Sequence, residues 1–223
     1  MARVNDMDEV PAGPARRPRD PARARREIML AAREEFVEFG LDGARVDRIA
    51  ERAGANKRML YHYVGNKEAL YSEVLLQAYR DIREGEAALH LGELPPREAM
   101  EKLVGFTFDH FRQNPWFIRL LATENIQRGA FVAELPEIRT LHSPLVSQMA
   151  EVLKAGERAK VFRAGVDPVQ LYITIAGVSY FYLSNIHTLS VIFGKPLTGE
   201  VEMAERRKHA VEVVLGYLRP EEG

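Results

Sequence analysis

The stretch Val46-Asp47-Arg48-Ile49-Ala50-Glu51-Arg52-Ala53-Gly54-Ala55-Asn56-Lys57-Arg58-Met59-Leu60-Tyr61-His62-Tyr63 decides how this chain is read. Val46, Ile49, Ala50 and Ala53 recur at i, i+3, i+4 and i+7, the period of a short helix with one buried face. Gly54 breaks it. Asn56 is a good N-cap for a second helix, from Lys57 to about Tyr63. Two helices joined by a four-residue turn that contains glycine have the layout of a helix-turn-helix.

On the N-terminal side, Asp20-Pro21 supplies a cap and a first-turn proline. Ile28, Ala32, Phe36 and Phe39 then form one apolar stripe, which Gly40 ends. On the C-terminal side Gly65-Asn66 is a second break, and Lys67 opens a long helix carrying Leu70, Val74, Ala78 and Ile82. Further helices are predicted from about Pro96 to Arg112, stopping at Asn114-Pro115, and from Trp116 to about Arg128. Ser143-Pro144 predicts a start for a helix that Gly156 ends, and Asp167-Pro168 a start for a very long one reaching Phe193. A last amphipathic helix runs from about Gly199 to Leu218. With no alternating strand pattern and no repeat, the fold class is all-α.

Residues 169–193 contain no Asp, Glu, Lys or Arg. That length could span a bilayer. Gln170, Thr174, Ser184, Asn185 and Thr188 give it a polar seam, which favours a helix buried on most sides within protein.

The 223 residues carry a net charge of only −1, distributed unevenly. Residues 14–67 hold 13 basic against 8 acidic side chains, whereas residues 68–223 hold 17 against 21. A basic first third suggests that one end meets an anion. The absence of cysteine excludes disulfide and thiolate chemistry and fits a cytoplasmic setting. Residues 1–19, rich in Pro and Arg, read as a disordered basic tail with no signal-peptide character. The histidines at 62, 90, 110, 142, 187 and 209 have no metal-ligand spacing, and no phosphate-binding glycine loop or nucleophile elbow is present, so an enzyme is not expected.

The run from Phe39-Gly40 through Val46–Tyr63 to Val64-Gly65-Asn66-Lys67-Glu68-Ala69-Leu70-Tyr71 closely resembles the DNA-binding domain of TetR-family regulators. Two positions depart from that pattern. Ala44 and Arg45 stand where the family has a capping Ser or Thr, and Val64 stands where most members have Phe. The resemblance implies an N-terminal three-helix DNA-binding domain at 20–66 and a C-terminal effector-binding and dimerisation domain at 67–223. It further implies a homodimeric repressor that a small-molecule effector releases from a palindromic operator, with no cofactor. An activator or effector-independent regulator of the same family is the alternative, and a helical interaction protein a more distant one.

Carried onto this sequence, the resemblance gives Tyr61 and Lys67 phosphate contacts. It puts Lys57, Arg58, Met59, His62 and Tyr63 on or beside the groove-facing side, flanked by Arg45 and Arg48. The arginines at 16, 17, 19, 23, 25 and 26 could form an arm on the DNA backbone or minor groove. Cations at helix N-termini oppose the helix dipole unless a phosphate sits there, which supports the same reading. An effector pocket is expected from Phe106, His110, Trp116, Arg119, Asn125, Arg128, Tyr172, Tyr180, Asn185 and His187, with Trp116 as a hinge or lid. The dimer is expected to form through the helices starting near Pro168 and Gly199.

Overall fold

Asp20 opens the first helix: its carboxylate accepts from the Ala22 N–H at 3.0 Å, and Pro21 occupies a first-turn position that needs no amide donor. The computed structural model describes residues 20–220, except the side chains of Met59 and Tyr63. The expected tail, with Arg16, Arg17 and Arg19, lies outside the described residues.

Helix α1 spans Pro21–Gly43 and is broken at Gly40, whose φ of 66° and ψ of 179° leave a short terminal turn. Helices α2 (Val46–Arg52) and α3 (Lys57–Val64) follow. Between them Gly54 adopts a φ of 59°. The Ala55 N–H then donates to the Ala50 carbonyl at 2.9 Å and the Gly54 N–H to that of Glu51 at 3.0 Å, a Schellman closure. In α4 (Lys67–Ala87) the cap is Asn66, which accepts from the Ala69 N–H at 2.7 Å.

Ile28, Ala32 and Phe36 of α1 share one core with Ile49, Leu60, Val64 and Tyr71. Val64 is therefore a packing residue, as its apolar character requires. Phe39 departs from the expected stripe: it is exposed, and the Arg48 guanidinium lies over its ring at 4.2 Å. The break at Gly40 begins one residue later, so the helix has no further turn with which to bury this ring.

The rest of the chain is a helical body of α5 (Pro96–Gln113), α6 (Pro115–Ile126), α7 (Ala130–Ala133), α8 (Pro136–Arg158), α9 (Pro168–Ser184), α10 (Ile186–Phe193) and α11 (Glu200–Tyr217). A 3₁₀ turn, Leu91–Glu93, precedes it. Helix α5 lies centrally against α8, α9 and α11 around Leu103, Val104, Met149, Ile175 and Val214. The head and body are not separately packed: Phe111, Phe117 and Leu120 belong to the same core as Phe36 and Tyr71.

Three expectations are corrected. Ser143-Pro144 does not start a helix; α8 starts at Pro136 and runs through Pro144. An internal proline costs about 3 kcal/mol, offset here by burial of Ile138 before it and of Leu145, Met149 and Val152 after it. Gly156 does not end α8, which reaches Arg158. Its role is close approach, since a Cβ there would lie 2.0 Å from the Phe162 ring.

The long apolar helix is two, broken at Asn185 (φ −112°, ψ 10°). The Asn185 side-chain amide donates to the Phe181 carbonyl at 2.9 Å, and the Ser184 hydroxyl reaches the same oxygen at 3.3 Å. Such local side-chain bonds compete with the backbone ladder. Within one copy this segment keeps an open face: Val169, Ile173 and Phe181 are 46%, 55% and 60% exposed. Among the described residues, no helix is long and apolar enough to cross a membrane.

Candidate nucleic-acid interface and interior cavity

Leu60 and Val64, one turn apart, pin one side of α3 to the core, which leaves Lys57, Arg58, Tyr61 and His62 exposed. Arg45, at the N-cap of α2, is exposed beside them. Lys57 Nζ meets Asp47 Oδ1 at 2.7 Å, tying α3 to α2, and this hydrogen bond and the Asp47 charge raise the Lys57 pKa. A phosphate would take over a cation already presented at a helix N-terminus. Met59 and Tyr63 belong to α3, but their side chains lie outside the described residues.

Arg48 and Lys67 are placed differently from the other expected contacts. Arg48 Nε donates to Glu35 Oε1 at 2.7 Å and Nη2 to the Gly43 carbonyl at 2.8 Å, so its fork is committed within the head. Lys67 Nζ donates to the carbonyls of Leu41 at 2.8 Å and Ala44 at 3.4 Å, closing the end of α1. The strained turn after Gly40 leaves those carbonyls without helical partners, and the nearby cation satisfies them.

Glu35 ties α1 to the start of α2. Its Oε1 accepts from the N–H of Arg45, the N-cap residue of α2, at 2.9 Å, while no side chain takes the hydrogen bond that a capping Ser or Thr would give the first turn. Burial pushes the Glu35 pKa up, but the Arg48 hydrogen bond, the Arg45 N–H and the charges of Arg48 and Arg52 outweigh that and hold the carboxyl below its usual range. Sequence reasoning missed Glu35, which looks like one more acid on a charged helix.

The interior of the body gathers Phe106, His110, Tyr172 and Tyr180, all expected, around groups that were not. Tyr79 meets His142 at 5.5 Å and Phe117 at 6.0 Å, and His142 meets Tyr172 at 6.2 Å between ring centroids. Burial depresses the pKa of both His110 and His142, keeping the rings neutral near neutral pH. Burial pushes Tyr79 up to about 12. Arg83 Nη2 donates to the Tyr172 hydroxyl at 2.8 Å, while Nη1 lies 2.8 Å from Glu86 Oε2. Cavities of about 500 Å³ and 280 Å³ lie along the α4–α8 seam, the first beside Tyr79 and His142 and the second beside Arg83 and Glu86.

The other expected pocket residues lie elsewhere. Arg119, Asn125, Arg128 and His187 are exposed. Helix α6 spends its inner face on Phe117, Ile118 and Leu120, which turns Arg119 outward, and Arg128 lies past the helix end at a φ of 59°. Asn185 serves the break between α9 and α10. Trp116 faces α1: Arg33 lies over its ring at 4.4 Å, and it lines a cleft of about 610 Å³ between α1 and α4. It therefore sits at the joint of head and body, outside the interior cluster.

Residues 28–74 match the family described as bacterial regulatory proteins, tetR family, and residues 96–214 match the tetracyclin repressor-like C-terminal domain. The chain is 33% identical over 197 residues to the HTH-type transcriptional repressor NicS of Pseudomonas putida, covering 88% of this chain and 93% of that one. It is 32% identical over 158 residues to the HTH-type transcriptional repressor SCO4008 of Streptomyces coelicolor, covering 71% and 78%. A solved structure, the putative transcriptional regulator SCO4942 of Streptomyces coelicolor, superposes with a TM-score of 0.66 at 25% identity, covering 87% and 98%.

Proposed function

The chain belongs to the TetR family of DNA-binding transcriptional regulators, not to a family of enzymes, and on that footing we propose that it is a cytoplasmic repressor released from its operator by a small molecule. Residues 20–66 read DNA, and residues 67–223 bind the effector and form the dimer. The observation that carries the reading is the exposed face of α3, where Lys57, Arg58, Tyr61 and His62 stand clear of the core. Arg45 flanks them, while Arg48 and Lys67 act chiefly by holding α2 and α3 in place.

One short recognition helix reads too few bases for useful specificity, so two copies act on successive major grooves about 34–36 Å apart. The exposed apolar residues Val169, Ile173 and Phe181 of α9, with Val213 and Tyr217 of α11, support a four-helix bundle between copies. The effector enters the α4–α8 seam. Because Phe117 on α6 joins that interior to the core shared with α1, occupation there changes the separation of the two heads. Trp116, at the joint, reports this movement by a change in its fluorescence.

The test is a titration of the purified protein against a fragment of its own promoter, with a Lys57→Ala/Arg58→Ala variant alongside. The variant should lose affinity for specific and random duplex together, with a salt slope reduced by roughly two. Phe181→Glu should shift the protein from dimer to monomer in sedimentation at about micromolar concentration. An unchanged salt slope in the first variant would refute the docking, and a persistent dimer in the second would refute the bundle.

A further inference from the structure

Two charged side chains of α4 are enclosed without being satisfied. Arg83 is 7% and Glu86 1% exposed, and they form an ion pair at 2.8 Å that lacks hydrogen-bond alignment. Arg83 Nε and Nη1 therefore donate to no protein atom, and neither Glu86 oxygen accepts from one. Donors and acceptors left this way carry an uncompensated desolvation cost, larger when they are charged, so such a group asks for a ligand. Both residues line the cavity of about 280 Å³ between α4 and α8.

On the opposite wall Pro144, inside α8, has no N–H to give the Thr140 carbonyl, and both residues, which are exposed, line the same cavity. Leu141, Leu145 and Ala87 supply apolar walls, with Arg80, Glu84 and Gln148 also lining the cavity.

We propose that this cavity recognises a small, neutral, flat ligand through an edge that carries a carbonyl next to an N–H, as in a lactam or ureide. The carbonyl accepts from Arg83, the adjacent N–H donates to Glu86, and the apolar walls hold the ring. A simple carboxylate satisfies Arg83 but sets its charge against Glu86 wherever that carboxyl is ionised. A simple amine does the reverse. The volume suits one or two fused rings. This assignment rests on the seam being the effector site and names the class of molecule that site takes.

Calorimetry on the full chain with 2-quinolone and 1-methyl-2-quinolone tests it, because the second replaces the N–H with an N-methyl group that cannot donate. 2-Quinolone should bind at least roughly tenfold tighter, the value of one hydrogen bond to a charged group. The preference should vanish in Arg83→Leu/Glu86→Leu, a variant whose apolar pair keeps the interior filled. Equal binding of both probes, with both lost in Leu141→Trp, would overturn the paired edge and leave the seam as the effector site. If neither probe binds up to about 1 mM, the proposal is overturned. A Leu141→Trp variant that still responds to a genuine inducer would in addition remove the effector site from the seam.

Discussion

Glu35 and Glu86 are both glutamates on long helices, both enclosed, and both within reach of arginine, yet their surroundings differ in kind. Glu35 accepts from the Arg45 N–H and from Arg48, with Arg52 nearby, and its carboxyl is held ionised. Glu86 accepts from nothing, and burial, against the opposing pull of Arg83, raises its pKa to about 7. The head thus uses a buried charge as a fastener with its needs mostly met, while the body keeps one whose needs are open. A DNA-reading unit must hold two short helices in one geometry, and satisfied polar groups specify a unique arrangement. A site that responds to a ligand needs interactions that are completed only when the ligand arrives.

The largest effect should come from breaking the fastener. Glu35→Ala removes the bonds from Arg48 and the Arg45 N–H; hydrogen bonds to a charged group contribute about 1.5–3 kcal/mol each, and solvent at Arg48, whose side chain is 35% exposed, recovers part of the loss. Urea denaturation should show the loss, and a cost below about 1 kcal/mol would mean that solvent already supports Arg48.

A comparable change at Glu86 should depend on pH. The folded carboxyl keeps its proton up to about pH 7 while the unfolded one releases it near 4.5, so the native state binds more protons between these values. Stability from this group is therefore full below about 4.5 and is lost as pH rises toward 7, by on the order of 3 kcal/mol. His110 and His142, whose pKa values burial lowers, act in the opposite sense, so the comparison is with Glu86→Gln. Melting temperatures of wild type minus variant should fall between pH 5 and 8. A flat difference would show that Glu86 is solvated.

Lys67→Ala should remove two bonds to the carbonyls of Leu41 and Ala44 and lower stability by about 1–2 kcal/mol, while changing the salt slope of DNA binding by less than one. The smallest effect on stability belongs to Arg58→Ala, expected within about 0.5 kcal/mol of wild type. It should nevertheless flatten the salt slope by roughly one unit or alter which sequences are preferred. If Lys67 and Arg58 exchanged these behaviours, the division between fastening and reading cations would be reversed.

Much of the fold was legible because it is written locally. The caps Asp20 and Asp167, the break at Gly54 and the apolar spacings of α2 and α4 act over a few residues, and each stands where its pattern indicates. The failures have a common cause. Ser143-Pro144 has the local form of a start, but packing of residues on both sides carries α8 through it. Phe39 fits a stripe that the geometry at Gly40 cuts short. For the DNA face, the sequence named the cations but could not sort them, because Arg48 and Arg58 differ only in what folds against them.

The sequence by itself therefore determined an all-helical chain, the helix-turn-helix and the family, since period, capping and turn chemistry are short-range and survive without neighbours. Only the tertiary structure decided which charges are paired within the fold, which stand exposed and which are enclosed without a hydrogen-bond partner. Arg83 finds its hydroxyl partner 89 residues away at Tyr172, and Glu124 accepts from the N–H groups of Phe131 and Val132 while facing the Tyr71 hydroxyl 53 residues back. Burial, pairing and the pKa shifts that follow are properties of such distant neighbours, and no window along the chain contains both partners.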